Sequence, residues 1–437
     1  MGTSRVALKY MTRFRCLADK CEDTCCEGLN VDVDRLSYER LQQAVAGNAT
    51  MQDKVTRLVV LNASATGVRD HAMLQMDAAG CCGFLDEKKL CSLQSTYGEQ
   101  VLSDSCALFP RSISQVDERI ELSGSLACPE VARLCLLSDD SVGIVDIDAS
   151  AQPRGYVGKQ LKKTKTDAYG FYLDDVRSLL LRILTVSEYP LSLRMAATAH
   201  FAHRIGEFYF RGSPEFDKNW QACEKRMREE IEMIGQPELW TDMKEQFFGR
   251  RHFAADALAF VASALDSRLK LPAPERFKGL VSSVLAHYRG EAGKRGEGRP
   301  ADAMWEVYEQ RYTLLSKHFG ADLERLFHHY GFQYWFRDWY TASDRLLDHA
   351  IKLLGRMGAI RFLIGGHPDV VKLAQELASA PAPSKEQRDR FSRAMIEAVQ
   401  GFVKAVEHTP PYLRIVDNAL TSTEDPFSQA LNFARLL

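Results

Sequence analysis

The sequence predicts a mainly α-helical protein in which an N-terminal cysteine-rich region with a small β-hairpin is followed by a helical array. Ten of the eleven cysteines lie between Cys16 and Cys135. Apolar and polar residues alternate through residues 108–128 around a short turn, which is typical of a hairpin. From about residue 172 onward, apolar residues recur at helical spacing in one segment after another.

We predict three parts along the chain. A cysteine-rich domain covers residues 1–140, a basic linker covers 141–170, and an α-helical domain covers 171–437. The linker contains the stretch GKQLKKTKTD, whereas the helical domain contains amphipathic runs such as RFSRAMIEAVQGFVKAVEH. A chain of 437 residues ordinarily divides into about two or three domains, in line with this division.

The charge balance excludes several classes of partner. Lys and Arg together number 56 and Asp and Glu 58, which leaves a net charge of −2. A chain so nearly neutral has no overall field to recruit nucleic acid or an anionic membrane. No apolar run approaches the length of a membrane span, and the N-terminus lacks the apolar segment of a secretion signal. We expect a cytoplasmic protein that has neither nucleic acid nor a membrane as a partner.

Short signals place the local elements of the cysteine-rich region. The stretch DRLSYERLQQAVAG predicts a helix with Asp34 as its N-cap. A small hairpin or a turn is expected around Asp86–Lys89, and the longer hairpin is expected to turn at Val116–Arg119. Pro129 and Glu130 then suit the first turn of another helix, because proline fits the first helical position and an acid favours the N-terminus.

The clustered cysteines indicate metal binding. A reducing compartment disfavours disulfides, and the odd number of cysteines disfavours complete pairing. Thiol ligands without interspersed histidine suit either zinc or an iron–sulfur cluster. The sequence lacks the paired C-x2-C motifs of structural zinc sites and contains an adjacent Cys–Cys pair, which favours iron–sulfur.

Spacing gives a first geometric test of the N-terminal cysteines. Cys21 and Cys25 share a face if their segment is helical, and Cys16 can reach the same point from a loop. Side chains of adjacent residues diverge in both helix and strand. Cys25 and Cys26 can therefore serve one metal centre only through an irregular turn.

The predicted hairpin gives a second test. Cys106 and Cys128 are placed symmetrically about residue 117, so strand pairing should bring Cys128 back close to Cys106. Cys135 and Cys223 lie on apolar helical faces and are interpreted as buried free thiols. For Cys81, a ligand and a buried thiol are equally good interpretations.

Eight cysteines remain as candidate metal ligands: Cys16, Cys21, Cys25, Cys26, Cys82, Cys91, Cys106 and Cys128. Eight thiols can fill two four-cysteine sites or form one cluster site with spare thiols, and spacing leaves both possibilities open.

Three segments within residues 14–134 resemble the flagellin lysine-N-methylase family, which belongs to a wider group of cysteine-cluster, zinc/iron-chelating proteins. The segments are FRCLADKCEDTCCEGLNVDVD, CGFLDEKKLCSLQSTYGEQVLSDSCALFPR and LSGSLACPEVARL. The stretch FVKAVEH near the end of the chain is similar in character. Two departures concern flanks: Leu29 stands where the family often has Trp, and Gly83 where it often has Pro.

The resemblance implies an S-adenosylmethionine-dependent protein lysine N-methyltransferase that carries a 4Fe–4S cluster and modifies flagellin in the cytoplasm. It assigns the same eight cysteines to the cluster region. The alternative is a non-catalytic iron–sulfur or zinc-binding module that staples a helical interaction domain. A radical enzyme fits less well, because C-x3-C-x2-C is not present: Cys26 follows Cys25 directly.

Catalytic and cofactor-binding residues are not located by the sequence. No G-x-G-x-x-G follows a predicted strand. The aromatic stretch 328–340 can bind cations, although the core of a helical pair is the better interpretation. Glu407 and His408 are interpreted either as a general base with its carboxylate partner or as an ordinary helix end, of which the helix end is the commoner outcome. Arg111 and Glu130 either orient the cluster or the cofactor carboxylate, or form surface salt bridges.

Overall fold

The structure, a computed structural model, describes residues 4–29, 31–65, 67, 69–78, 80–148, 154, 156–249, 254–295, 298–378 and 382–437. Within these residues the prediction of a mainly α protein is confirmed, with nineteen α-helices and two small sheets. Part of the expected linker, residues 149–153 and 155, lies outside the described residues. No helix in the described part of the chain is both long and apolar enough to cross a membrane.

The strands are β1 Arg5–Leu8, β2 Asp32–Val33, β3 Val59–Leu61, β4 Ala72–Leu74, β5 Arg111–Val116, β6 Arg119–Gly124, β7 Ile144–Asp146 and β8 Lys159–Leu161. The helices up to the middle of the chain are α1 Arg35–Val45, α2 Ala49–Leu58, α3 Ser92–Tyr97, α4 Asp104–Leu108, α5 Pro129–Leu136, α6 Ala168–Phe171, α7 Leu173–Thr185, α8 Leu191–Ile205, α9 Pro214–Lys218 and α10 Trp220–Ile234. The remaining helices are α11 Pro237–Gly249, α12 Ala254–Leu269, α13 Glu275–Gly293, α14 Pro300–Arg337, α15 Leu346–Gly366, α16 Pro368–Leu377, α17 Lys385–Phe402, α18 Pro410–Thr421 and α19 Pro426–Ala434.

The predicted hairpin is the centre of a five-stranded sheet with the order β7-β1-β6-β5-β8. Strands β5 and β6 pair antiparallel from Arg111 opposite Gly124 to Val116 opposite Arg119, so the turn falls at the expected position. Strand β1 pairs with β6 in parallel. The edge strands β7 and β8 both come from the segment expected to be a linker, so part of that segment belongs to the sheet.

The described residues form two separate hydrophobic cores. The small core lies under the three-stranded sheet β2-β4-β3 and helices α1 and α2. Its buried members are Val33, Leu41, Val45, Val55, Val59, Ala72, Cys82, Phe84, Leu93, Val101 and Leu102. The large core joins the five-stranded sheet to the helical array. The middle of the cysteine-rich region therefore has a core of its own, while its two flanks pack with the helices.

Local signals read from the sequence are confirmed. The carboxylate of Asp34 caps α1 by accepting the Ser37 backbone N–H at 2.8 Å. Helix α5 begins at Pro129 and has Glu130 in its first turn. The Asp86 carboxylate accepts backbone N–H groups across its turn, which ends in a bridge before α3.

The helical array reaches the site described next through His408, the residue that follows its π-helix. Helix α17 continues into a π-helix, Val403–Glu407, which brings the end of the helix towards the cysteine-rich region. The array is tied to the five-stranded sheet by a buried ion pair, in which Arg177 of α7 contacts Glu121 of β6 at 2.7 Å. The aromatic stretch 328–340 is largely buried in and after α14, in agreement with its interpretation as core.

Candidate metal centre

One cavity of about 570 Å³ lies where the two hydrophobic cores meet, and cysteines line it. The lining contains all eight predicted ligands: Cys16, Cys21, Cys25, Cys26, Cys82, Cys91, Cys106 and Cys128. The other three cysteines are not among the lining residues. Cys135 and Cys223 are buried free thiols, as predicted, and Cys81 lies next to Cys82 without lining the cavity.

Five of the eight form one group of neighbouring thiols, here called the five-thiol group: Cys25, Cys26, Cys82, Cys91 and Cys106. Backbone contacts bring them together, since the Cys82 N–H donates to the Cys26 carbonyl at 2.8 Å. Cys91 forms a bridge with Leu85 and precedes α3, while Cys106 lies in the short helix α4. After burial, which is the largest cause, the neighbouring thiols Cys91 and Cys82 raise the pKa of Cys106.

The other three form the three-thiol group: Cys16, Cys21 and Cys128. A short 3-10 turn, Ala18–Lys20, brings Cys21 back towards Cys16. Cys128 immediately precedes α5, and its sulfur accepts backbone N–H groups from the first turn of that helix. Burial raises the pKa of Cys128 to about 11, and the nearby thiols of Cys21 and Cys16 add to this effect.

The hairpin brings its two cysteines to the same cavity but to different groups. At its open end, the Ser125 N–H donates to the Pro110 carbonyl at 2.7 Å, so the chain converges beyond the paired strands. Cys106 and Cys128 both line the cavity. The thiols that raise the pKa of Cys106 are Cys91, Cys82 and Cys25 of the five-thiol group. The thiols that raise the pKa of Cys128 are instead Cys21 and Cys16 of the three-thiol group.

The Cys25–Cys26 pair lies in an irregular turn, which is the condition stated above for both thiols to serve one centre. The thiols of Cys25 and Cys26 are close enough to share a hydrogen bond. This bond is the largest cause that lowers the pKa of Cys25, to about 7, and the Lys404 ammonium lowers it further. The same bond, together with burial, raises the pKa of Cys26. Cys25 is thus the thiol of the pair that ionises first.

The remaining thiols of the cavity are harder to ionise. Burial raises the pKa of Cys106 to about 11, and burial also raises the pKa values of Cys82 and Cys21. Cys106 has solvent-accessible surface because it faces the cavity, yet protein atoms surround it on nearly every side. Because metals and clusters bind thiolates, occupation of the site must release protons from these cysteines.

The arrangement of donors fits an iron–sulfur cluster. In a cluster each thiolate binds a different iron, so the cysteines surround the group. All eight candidate thiols line the cavity, and most of the other lining residues are apolar, so the donor set has the thiol-only chemistry that such a cluster requires. Within the described residues, no three Cys, His, Asp or Glu side chains meet around a point suited to one metal ion.

Helix α17 and the π-helix that continues it contact the loop between Cys21 and Cys25, a contact that the sequence did not predict. Lys404 Nζ lies 2.8 Å from the Asp23 carboxylate, and Gln400 Nε2 lies 2.5 Å from the same carboxylate. His408 lines the cavity, and its Nε2 lies 2.8 Å from Ser125 Oγ. The sequence signal for Lys404 is a lysine within the apolar run FVKAV, since lysine is rarely buried without a partner.

The other polar candidates have structural partners. Arg111 lies over the Phe14 ring at 5.3 Å, and Glu130 accepts a hydrogen bond from Arg133 at 3.0 Å. Glu407 is held by the Tyr330 hydroxyl at 2.5 Å and by Arg337 at 3.1 Å. These contacts leave His408 as the member of the Glu407–His408 pair that reaches the cavity.

The fold and site together define a mainly helical protein with a cysteine-lined cavity, and sequence comparison identifies its family. A sequence model named FliB lysine N-methylase C-terminal domain matches residues 177–431. The chain therefore belongs to the FliB lysine N-methylase family, and the resemblance seen in the cysteine segments is confirmed.

Curated relatives agree with this family. The chain is 30% identical over 137 residues to the Lysine-N-methylase of Salmonella typhimurium strain LT2, which covers 31% of this chain and 33% of the relative. It is 30% identical over 135 residues to the Flagellar biosynthetic protein FliU of Salmonella muenchen, covering 31% of this chain and 78% of that protein. The matched stretch thus spans about a third of the Salmonella typhimurium enzyme. No solved structure matches the chain.

Proposed function

We propose that this protein is an S-adenosylmethionine-dependent protein lysine N-methyltransferase that carries a 4Fe–4S cluster and acts on flagellin. The observation that carries the cluster assignment is the single cavity that all eight candidate cysteines line. The activity is supported by membership of a family named for lysine N-methylation. The name FliU for one relative supports a flagellar substrate.

The five-thiol group is the proposed cluster site. It supplies the four thiolates that a 4Fe–4S cluster requires, with one thiol to spare. Its Cys25, with a pKa lowered to about 7, would be the first thiolate available to iron near neutral pH. Bound there, the cluster would supply a redox-active or electrostatically active group at the junction of the two cores.

Methyl transfer to lysine requires a neutral amine held in line with the sulfonium methyl group. A lysine ammonium has an ordinary pKa of about 10.4, so the enzyme must remove a proton. His408 is the candidate for relaying this proton, because it lines the cavity and because burial lowers its pKa, so that the imidazole is neutral although a weaker base than usual. A neutral imidazole can accept the proton that the ammonium must lose.

The test is transfer of a labelled methyl group from S-adenosylmethionine to purified flagellin, with anaerobically prepared protein whose iron and zinc have been counted. We expect iron, broad visible absorption and label on lysine. Cys82→Ser should lose iron and transfer, whereas Cys81→Ser should keep both, because Cys81 neighbours Cys82 but does not line the cavity. Zinc in place of iron would overturn the cluster assignment.

A second candidate is a non-catalytic module in which a bound cluster or zinc ion staples the protein. The observation in its favour is that the cavity lies between two separate hydrophobic cores, which a metal centre would join. Metal-loaded protein that neither transfers a methyl group nor binds S-adenosylmethionine in calorimetry would favour this module over the enzyme.

A further inference from the structure

The loop between Cys21 and Cys25 is held in place residue by residue. Glu22 forms an ion pair with Arg133 of α5. The Asp23 carboxylate accepts hydrogen bonds from Lys404 at 2.8 Å and Gln400 at 2.5 Å. Lys404 also donates to the Thr24 carbonyl at 2.9 Å. Every residue between the two cysteines therefore has a partner outside the loop.

Gln400 joins this loop to the second cysteine segment. Its side-chain amide donates to Asp23 and, at 3.0 Å, to the carbonyl of Ala127, the residue before Cys128. Gln400 is itself buried. One amide group thus hydrogen-bonds both to the segment that carries Cys21 and to the segment that carries Cys128.

The chain just after this loop packs on the helical array. Gly28 has a φ of +71°, and a Cβ placed on it would lie 2.7 Å from Pro274 Cγ and 3.7 Å from Lys404 Cε. The close approach to Pro274 leaves no room for a side chain, and the positive φ also favours glycine. The aliphatic stem of Lys404 therefore lies beside the loop while its ammonium binds Asp23 and Thr24.

The lysine that makes these contacts lies in the π-helix Val403–Glu407. A π-helix winds more widely than an α-helix and is often found at functional sites. Lys404 is only 4% exposed, and its partner Asp23 is 14% exposed, so their ion pair is largely shielded from water. A charge so deeply buried is costly unless it is paired and hydrogen-bonded, and Lys404 is both.

We propose that Lys404, together with Gln400, is a positioning residue of the metal centre. It holds the Cys21–Cys26 loop against the helical array in the geometry that presents its thiols to the cavity. The proposal rests on the proposed function only in treating these cysteines as ligands. The contacts of Lys404 and Gln400 with Asp23 and Thr24, here called the clamp, are present in the protein before any metal binds.

The charge pair makes the proposal testable by a double-mutant comparison. Lys404→Met removes the ammonium that hydrogen-bonds to Asp23 and Thr24 and leaves the partly buried Asp23 carboxylate with only Gln400 as a hydrogen-bond partner and Arg276 as a more distant cation, so the loop should be loosened. Lys404→Met combined with Asp23→Asn removes both charges and leaves no buried ion unpaired. Removing one partner of a buried pair is much more damaging than replacing both. The double variant should therefore behave more like the natural protein than Lys404→Met does.

The primary measurement is hydrogen exchange of the full-length, metal-free protein, read in peptides that cover residues 17–29. In Lys404→Met we expect exchange of the Thr24–Cys26 amides to accelerate on the order of tenfold to a hundredfold, with partial recovery in the double variant. Arg390→Met is the matched control, since it removes an ion pair to Glu376 from the same helix without touching the loop. Unchanged exchange in Lys404→Met, or equal acceleration in Arg390→Met, would overturn the proposal.

Iron retention under a chelator distinguishes the two proposals. If the natural protein keeps its cluster, Lys404→Met should lose iron faster than both the natural protein and Arg390→Met. If the natural protein binds no iron but the exchange result holds, the clamp stands and the cluster assignment fails. A well-folded Lys404→Met protein with released amides and undiminished iron retention would show that the clamp does not position the metal centre.

Discussion

The two thiol groups of the cavity are held by different parts of the fold. Most of the five-thiol group belongs to the part of the chain that surrounds the small core, where Cys82 is a buried member. The three-thiol group is attached to the large core, because Cys128 precedes α5 and Cys16 follows the buried residue Phe14. The proposed metal centre therefore lies at a junction between two separately packed units.

This difference shows how a metal centre can contribute to the fold as well as to chemistry. The cavity opens between the two cores, and thiols that line it pack against each of them. Because a structural metal or cluster stabilises only the folded arrangement of its ligands, occupation would couple the two units. The following predictions test whether the units and the thiol groups are as separate as the structure shows, from the largest expected effect to the smallest.

The largest effect on stability is expected from a Phe→Ala substitution made in each of the two cores. Phe84 in the small core and Phe201 in the large core are each 1% exposed. Truncation of a buried Phe to Ala costs about 3–5 kcal/mol. We expect Phe84→Ala to lower the local stability of residues 33–102 by this amount, and Phe201→Ala to lower that of the helical array. Segment-resolved hydrogen exchange in the metal-free protein measures both, and equal loss of protection throughout the chain in either variant would contradict separate cores.

The next effect compares one thiol from each group. If the five-thiol group holds the cluster, Cys106→Ser should weaken iron binding by more than about 100-fold, beyond the usual effect of a second-shell change. Cys128→Ser should stay within about tenfold of the natural protein. Chelator titration followed by visible absorption measures both, with Cys81→Ser as the control that leaves the cavity lining intact. An equal loss of iron affinity in Cys106→Ser and Cys128→Ser would show that the two thiol groups form one site.

Acid should weaken the large core through a buried histidine. Burial lowers the pKa of His349 to about 3, so the folded protein keeps it neutral while the unfolded chain takes up a proton below pH 6.5. Stability from this group is complete above pH 6.5 and falls as pH decreases, by about 2 kcal/mol at pH 5. Urea unfolding at pH 7 and pH 5 should show this loss, and His349→Asn should reduce it. An unaltered pH dependence in His349→Asn would assign the loss to other groups.

The smallest expected effect is a difference in the rates at which the cavity thiols are alkylated, which involves no change in protein stability. In metal-free protein, Cys25 should react with iodoacetamide with an inflection near pH 7, because its pKa is lowered to about that value and only the thiolate reacts. Cys106 and Cys128, whose pKa values are raised to about 11, should remain unlabelled at pH 8. Site-resolved mass spectrometry gives each rate. Faster labelling of Cys128 than of Cys25 at pH 7 would contradict the difference between the groups.

The sequence predicted much of the local structure correctly. Clustering separated the cavity-lining cysteines from Cys135 and Cys223, and alternation located the β5–β6 hairpin. Asp34 and Pro129 marked the beginnings of α1 and α5. These features depend on residues close together in the chain, where turn chemistry, capping and periodicity act directly.

Contacts between distant residues could not be predicted in this way. Asp23 and Lys404 are 381 positions apart, so no local pattern connects the cysteine loop to its clamp. The sequence also did not show that β7 and β8 would extend the sheet from the expected linker. Each of these outcomes depends on which buried surfaces pack together, and such packing is a property of the whole chain.

The sequence by itself determined which cysteines are candidates, that most of the chain is helical, and where the hairpin turns. Only the tertiary structure decided that the eight candidate thiols share one cavity, that they fall into groups of five and three, and that Cys25 and Cys26 can act together through an irregular turn. The physical reason is the range of the interactions. Periodicity and capping act over a few residues, whereas burial, charge pairing and the ionisation of a thiol depend on every element packed around it.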